Sequence, residues 1–264
     1  GGAQANGHAD GEQASGGGGE AKHVVIDTGK TFKRAACRFF PKHRVRSVDA
    51  VLLTHEHADA VLGLDDMRET KSWGKNWKKM PSIPPTPVYC SKETYAHLER
   101  VFPYLVQKPQ EGEVVRMVSQ LQFCIIESFA TFEPVQGLPI RALPTIHGGD
   151  CVTFGFEFGS RERVVYLSDF NKLSDETLEA VMSRPVDILV LDCLRKEEDA
   201  TTHVGLPGAL SVALRVRASR TILVGISHSF GDHDRENEEL RHRTDLEGLD
   251  IQLAFDGLSI CVDL

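Results

Sequence analysis

The sequence predicts an α/β protein in which two β-sheets pack together with helices on the outside. The first half of the chain is rich in strand patterns with two helical patterns, whereas the second half alternates strand and helix. No G-x-G-x-x-G turn occurs, which argues against a single dinucleotide-binding sheet. With 264 residues, 41% hydrophobic and 26% charged, the composition is that of a globular protein with one shared core.

Strands are predicted in the first half at short apolar or alternating runs bounded by turn residues: 23–27, 49–54, 87–90, 121–127, 138–143 and 151–158. Residues 58–69 have helical spacing, with Val61, Leu64 and Met67 among their apolar positions. Ser91 is expected to cap a helix that continues to about Arg100. The segment between 54 and 58 therefore joins a buried strand to a helix.

The second half alternates the two kinds of element. Strands are predicted at 163–167, 187–192, 221–226, 250–255 and 258–262. Helices are predicted at 174–184, 206–218 and 232–243, the last of them polar. This alternation is typical of strands that are covered by helices.

Residues 1–20 differ from the rest of the chain. They contain eight glycines with Ala, Gln, Ser and a few charges, and such low-complexity sequence cannot form a core. We therefore expect a flexible segment at 1–20 and one domain at 21–264.

Charge and cysteine usage restrict the setting of the protein. Lys and Arg number 30 against 38 Asp and Glu, and the net charge of −8 argues against non-specific coating of nucleic acid. No apolar run approaches the ~18 residues of a membrane span, and no basic-then-apolar leader is present, so neither a membrane segment nor a secretory signal is expected. The six cysteines are scattered without a C-x-x-C pair, which favours a reducing, cytoplasmic location.

Potential metal ligands follow the buried strand 49–54 directly, in the sequence Thr-His-Glu-His-Ala-Asp-Ala at 54–60. His55, His57 and Asp59 lie two residues apart, and imidazole and carboxylate ligands suit zinc, manganese or iron. An H-x-H pair alone is a weak signal. Further candidates, however, stand at the ends of other predicted strands: Asp27, His147, Asp169 and His228. Because side chains at strand ends converge on one face, the sequence predicts a metal site there.

The order of these residues resembles the metallo-β-lactamase superfamily over about residues 23–264. Three further features are similar to its phosphodiesterase members, namely the cyclic-phosphate phosphodiesterases and the tRNA 3′-end-processing endonucleases: Gly-Leu-Asp-Asp-Met-Arg at 63–68, Tyr-Leu-Ser-Asp at 166–169, and Thr202-His203 ahead of a helix. The resemblance implies an αββα four-layer sandwich.

The resemblance also implies roles for individual residues. A first metal ion would be held by His55, His57 and His147. A second would be held by Asp59 and His228, with Asp169 bridging the two. His203 matches the residue that serves the leaving oxygen in the phosphodiesterase members, so that His203 and Asp59 are the implied catalytic residues, while Asp27 orients the site through hydrogen bonds.

One position departs from the family pattern. Ala60 stands where the motif usually has a histidine ligand of the second metal. The resemblance therefore implies Zn²⁺ or Mn²⁺ in one or two ions per chain, with the second site weakened.

The implied activity is metal-dependent hydrolysis of a small or cyclic phosphodiester. A bound metal lowers the pKa of water from near 16 to about 7, so that hydroxide is available to attack phosphorus in line. Two alternatives stay open: a thioesterase or lactonase on the same fold, and a degenerate non-catalytic metal-binding protein, for which Ala60 is the direct support. The expected partner is a small-molecule substrate rather than nucleic acid or a membrane, and a homodimer is an open alternative to a monomer.

Overall fold

Within the described residues, the first sheet contains four parallel strands and carries the loop with the His-Glu-His sequence at 55–57. The computed structural model describes residues 21–70, 84–107 and 118–264, so the expectation for residues 1–20 lies outside the described residues. The strands follow the chain order β1-β2-β3-β4: β1 (Val24–Ile26), β2 (Ala50–Leu52), β3 (Thr86–Cys90) and β4 (Leu121–Ile125). The α-helices of this half are α1 (Phe32–Phe39), α2 (Ala58–Val61), α3 (Lys92–Val101) and α4 (Pro103–Val106), and a 3-10 helix spans Leu64–Thr70.

The second sheet has seven strands in the order β11-β10-β9-β8-β7-β6-β5, parallel from β11 to β8 and antiparallel beyond. Its strands are β5 (Thr131–Val135), β6 (Leu138–Ile146), β7 (Val152–Phe158), β8 (Val164–Leu167), β9 (Ile188–Asp192), β10 (Arg220–Val224) and β11 (Ile251–Leu253). The α-helices of this half are α5 (Asp175–Met182), α6 (Leu206–Val216) and α7 (His233–Arg241), with 3-10 turns at His228–Phe230 and Thr244–Leu246. In the part of the chain that the structure describes, none of the helices is long and apolar enough to cross a bilayer.

Buried side chains confirm the predicted four layers. Leu52 on β2 points into a cluster between the sheets with Ile140 and Phe156 of the second sheet. Its neighbour Val51 points to the opposite face, into the cluster under α1 and α3. Because successive side chains of a strand alternate between faces, β2 is buried on both sides. A third cluster lies between the second sheet and the helices α5 and α6, which completes the αββα order.

Three α-helices or strands were missed by the sequence analysis: α1, α4 and β5. Helix α1 buries Phe32 and packs Ala36 and Phe40 on the same cluster, at the four-residue spacing of a helix face. Strand β5 contains Pro134, a residue that disfavours a strand interior, and it is the edge strand of its sheet, where proline is tolerated.

Two predicted elements differ in the structure. The helix predicted at 58–69 is divided at Gly63, whose amide donates to Thr28 O at 2.6 Å and where a Cβ would lie 2.6 Å from Gly29 O. The strand predicted at 258–262 is wrong, since these residues follow a turn and form no strand. Ser259 and Cys261 are exposed, and Leu258, Ile260 and Val262 are only half-buried, so this alternating pattern covers no core.

Candidate metal centre

The site is assembled from loops that follow strands of both sheets. His55, His57 and Asp59 follow β2 in the first sheet. His147 follows β6 and Asp169 follows β8 in the second sheet. The loops meet at one edge of the sandwich, where ligand atoms of these five residues lie within 4.8 Å of one another in overlapping groups of three.

Three imidazoles form the centre of the site. The ring centroids are 4.5 Å apart for His55 and His57, 5.1 Å for His55 and His147, and 5.0 Å for His57 and His147. His147 Nε2 lies 3.2 Å from His57 Nδ1. Three converging ring nitrogens are a ligand set that catalytic zinc sites use.

Hydrogen bonds at the outer nitrogens fix how two of these rings are protonated. His147 Nδ1 lies 2.7 Å from Thr202 O, and because a carbonyl only accepts, Nδ1 carries the proton. Thr54 Oγ1 donates to Asp27 Oδ2 at 2.8 Å, so it accepts from His55 Nδ1 at 2.8 Å. Both Nε2 atoms therefore keep a lone pair that faces the centre of the site.

The pKa shifts of His55 and His147 agree with neutral rings that keep a lone pair on Nε2. Burial lowers the pKa of His55 to about 4 and lowers the pKa of His147 as well, so both rings are neutral at neutral pH. His55 is 1% exposed, and among the described residues its Nε2 has no hydrogen-bond partner. A buried lone pair without a partner is costly, and a divalent cation would satisfy it. The residues therefore fit a metal ion.

Asp27 stands behind the site and is outside the ligand groups found in the described ranges. Its Oδ1 accepts the amide N–H of Thr54 at 2.8 Å, in addition to the hydroxyl contact at Oδ2. Burial nevertheless raises the pKa of Asp27 to about 8. Its backbone has φ 61°, a left-handed conformation that aspartate tolerates better than most residues. Asp27 thus acts on His55 through Thr54.

Two carboxylates face the imidazoles. Asp169 shares one group with His147 and His203 and another with His55 and Asp59, so it lies centrally. Asp59 is 64% exposed, and its Oδ1 is 3.9 Å from His55 Nε2. The site is therefore buried at His55 and His147 and open at His57 and Asp59.

His203 is held against the site by an aspartate that the sequence analysis missed. Its Nδ1 lies 2.8 Å from Oδ2 of Asp192, the last residue of β9, and its ring centroid is 4.7 Å from that of His147. Asp192 is 3% exposed; burial raises the pKa of Asp192, and the hydrogen bond to Asp192 raises the pKa of His203. The available signal was an acidic residue at the end of the apolar run Ile-Leu-Val-Leu-Asp.

The structure does not bring His228 into the centre. His228 is exposed at the start of the 3-10 turn after β10, and it belongs to none of the ligand groups within 21–70, 84–107 and 118–264. Its role as a ligand of a second metal stays a prediction.

Comparison with known proteins places the chain in a broad family. Residues 22–226 match the model of the β-lactamase superfamily domain. A diphosphatase of the PhnP family, known from its crystal structure, is 30% identical with a TM-score of 0.73; the match covers 94% of this chain and 83% of that chain. The short form of human tRNase Z is 14% identical with a TM-score of 0.60, covering 90% of this chain and 88% of that chain, which shows the shared fold alone.

A curated relative is similar over most of this chain but is much longer. It is called an octanoyltransferase, from Porphyromonas gingivalis (strain ATCC BAA-308 / W83), and it is 26% identical over 243 residues. The match covers 92% of this chain and 43% of that protein, so the chain spans less than half of its relative's length.

Proposed function

The chain belongs to the β-lactamase superfamily, and from this premise we propose that it is a metal-dependent phosphodiesterase acting on a small or cyclic phosphodiester. The superfamily consists of metal-dependent hydrolases, and the chain is a hydrolase of this kind with a His/Asp metal cluster. The observation that carries the finer proposal is the Asp192–His203 pair beside the three imidazoles. The 30% identity to a diphosphatase supports phosphoryl chemistry further.

We infer that the ion is held by His55, His57 and His147, with Asp169 facing it from the second sheet. Neutral imidazoles suit zinc better than manganese, which prefers carboxylate and water ligands. When bound, the ion supplies a Lewis acid and lowers the pKa of a water molecule to near neutrality. The relay from Asp27 through Thr54 keeps the His55 ring in the orientation and protonation state that a ligand needs.

Asp59 is placed to orient and deprotonate the attacking water. Its carboxylate is exposed on the open side of the site and only 3.9 Å from His55 Nε2. A carboxylate there accepts a hydrogen bond from the water and takes its proton as the oxygen attacks phosphorus. Asp169, on the side of the second sheet, adds negative charge that keeps cations and protons in the site.

His203 is placed to protonate the leaving group. The hydrogen bond from Nδ1 to Asp192 raises the pKa of His203, which keeps a proton on Nε2 available near neutral pH. Departing alkoxide needs this proton, whereas a thiolate, with an ordinary pKa of about 8.5, departs without one. The pair therefore favours an oxygen ester over a thioester as the substrate.

The test is turnover by zinc-loaded protein of two phosphodiesters, one with a nitrophenolate and one with an alkoxide leaving group. We expect His57→Ala to abolish both reactions. His203→Ala should lose about 10²–10⁴-fold on the alkoxide substrate and much less on the nitrophenyl substrate, which needs no general acid. The proposal is refuted if the zinc-loaded protein hydrolyses neither diester but cleaves a thioester or a lactone.

Thioester hydrolysis is a second candidate because of one observation, the relative called an octanoyltransferase. More than half of that protein lies outside the match, so its name supports the candidate weakly. An octanoyl thioester belongs in the same assay, where its rate against that of the phosphodiesters decides between the two functions.

A further inference from the structure

We propose that this chain holds one tightly bound divalent ion, which decides between the one and the two ions per chain that the resemblance leaves open. The inference rests on the metal-dependent function proposed above and concerns the ligands at a second position. Three features of the described residues carry it. The first metal position has three imidazole ligands, and residue 60 has no ligand atom. The remaining groups of possible ligands share residues with the first position.

The first position has what one ion requires. His55, His57 and His147 present three ring nitrogens within 4.8 Å of one another. The outer nitrogens of His55 and His147 are engaged by Thr54 Oγ1 and by the carbonyl of Thr202. Three such ligands leave one coordination place open for water or substrate, as catalytic zinc sites do.

Residue 60 cannot supply a ligand to a second position. Ala60 has no donor atom, and it is 1% exposed although the neighbouring Asp59 and His57 are exposed. Its methyl group belongs to the apolar cluster with Phe32 and Leu64. Its carbonyl is tied down by the Thr28 amide at 2.7 Å. The side chain of residue 60 therefore faces the core and not the open side of the site.

The other ligand groups overlap with the first position. One group contains His147 and the other contains His55, so each reuses an imidazole that the first ion needs. What is left for a second ion is Asp59, Asp169 and His203, and among the described residues these three do not come together in one group: Asp59 and Asp169 share a group without His203. His228 is exposed outside these groups. Two carboxylates completed by water hold a divalent ion loosely.

This arrangement assigns different tasks to two residues. Asp59, free of a metal, can accept the proton of the attacking water. His203 supplies beside the phosphoryl group a positive charge of the kind that a second ion would provide. The departure at Ala60 is thus matched by the Asp192–His203 pair.

The test is a count of metal ions, independent of turnover. The whole chain is stripped with a chelator, reloaded with excess zinc, dialysed, and measured by mass spectrometry. A parallel titration with Co²⁺ follows its absorbance in the visible range. We expect one ion to be retained per chain and the cobalt absorbance to saturate at one equivalent. Two retained ions, or none, would overturn the inference.

Two variants distinguish the ligands. His57→Ala is expected to retain no ion, and Asp59→Ala to retain one while turnover falls. An Asp59→Ala protein that no longer holds the ion, or a folded His57→Ala protein that still does, contradicts the inference. Circular dichroism checks that each variant is folded. If a variant does not fold, the ion count of the wild-type protein still tests the inference. One ion without phosphodiester turnover would reject the proposed substrate and leave the ion count intact.

Discussion

Replacing Asp192 with asparagine tests the proton-donor role of His203 most directly. The Asp192 carboxylate is buried, lies 2.8 Å from His203 Nδ1, and raises the pKa of that ring. A hydrogen bond to a charged group contributes about 1.5–3 kcal/mol. At about 1.4 kcal/mol per pKa unit, the Asp192→Asn change should lower the pKa of His203 by about 1–2 units.

The sign of the expected change follows from the role of the proton. His203 acts in its protonated form, so activity is lost as the pH rises through the pKa of His203. In Asp192→Asn this loss should occur about 1–2 pH units lower than in the wild type. A fall of about 1–2 units in this pKa lowers the protonated fraction of His203 by about 10–100-fold at a pH above both pKa values, so kcat for the alkoxide substrate should fall there by up to that factor.

The assay is kcat against pH for the zinc-loaded protein with both leaving groups. Asp187, at the opposite end of β9, accepts the amide of Arg163 at 2.8 Å, so Asp187→Asn is a matched control that should leave the pH profile unchanged. An Asp192→Asn protein with an unshifted basic limb, or with the same loss on both substrates, would refute the reasoning. The nitrophenyl substrate separates loss of the acid from a general disturbance of the site.

Three further predictions concern metal affinity and stability. Thr54→Val interrupts the relay to His55, and zinc affinity measured by chelator competition should fall about 10–100-fold; unchanged affinity would contradict the relay. Arg163, 1% exposed, donates to Glu157 and to backbone carbonyls in and just after α5, so Arg163→Met should lower the free energy of unfolding in denaturant by about 3–5 kcal/mol. The exposed Arg161→Met is its control and should cost under about 1 kcal/mol. Ser174→Ala removes the N-cap of α5, with an expected loss of about 1 kcal/mol in the same titration.

The structure brings together those candidate ligands that stand on short loops after strands. His55, His57, His147 and Asp169 all lie within a few residues of a strand end, so little freedom separates the strand from the ligand. His203 also lies at the centre, although it comes eleven positions after Asp192, the end of its strand. The role of His203 was predicted from the resemblance to the phosphodiesterase members of the superfamily, and not from the strand pattern.

Other parts of the site depend on chain paths that no local pattern encodes. Asp192 gains its role only through a histidine from the next loop, and alone it looks like an ordinary acidic residue at a strand end. Asn171 is similar: its amide joins the carbonyl of Thr201 at 2.7 Å to the amide of Gly148 at 3.1 Å, and so ties the loops of His147 and His203 together. The position of His228 depends on how the chain leaves β10.

The division of the ligands between the two sheets has a consequence for the stability of the protein. His55 and His57 belong to one half of the sandwich and His147 to the other, so an ion bound to all three cross-links the halves. Binding to the folded chain alone stabilises it by about 4 kcal/mol when free metal is a thousand times Kd. Removing the ion should therefore lower the free energy of unfolding of the whole sandwich by a similar amount.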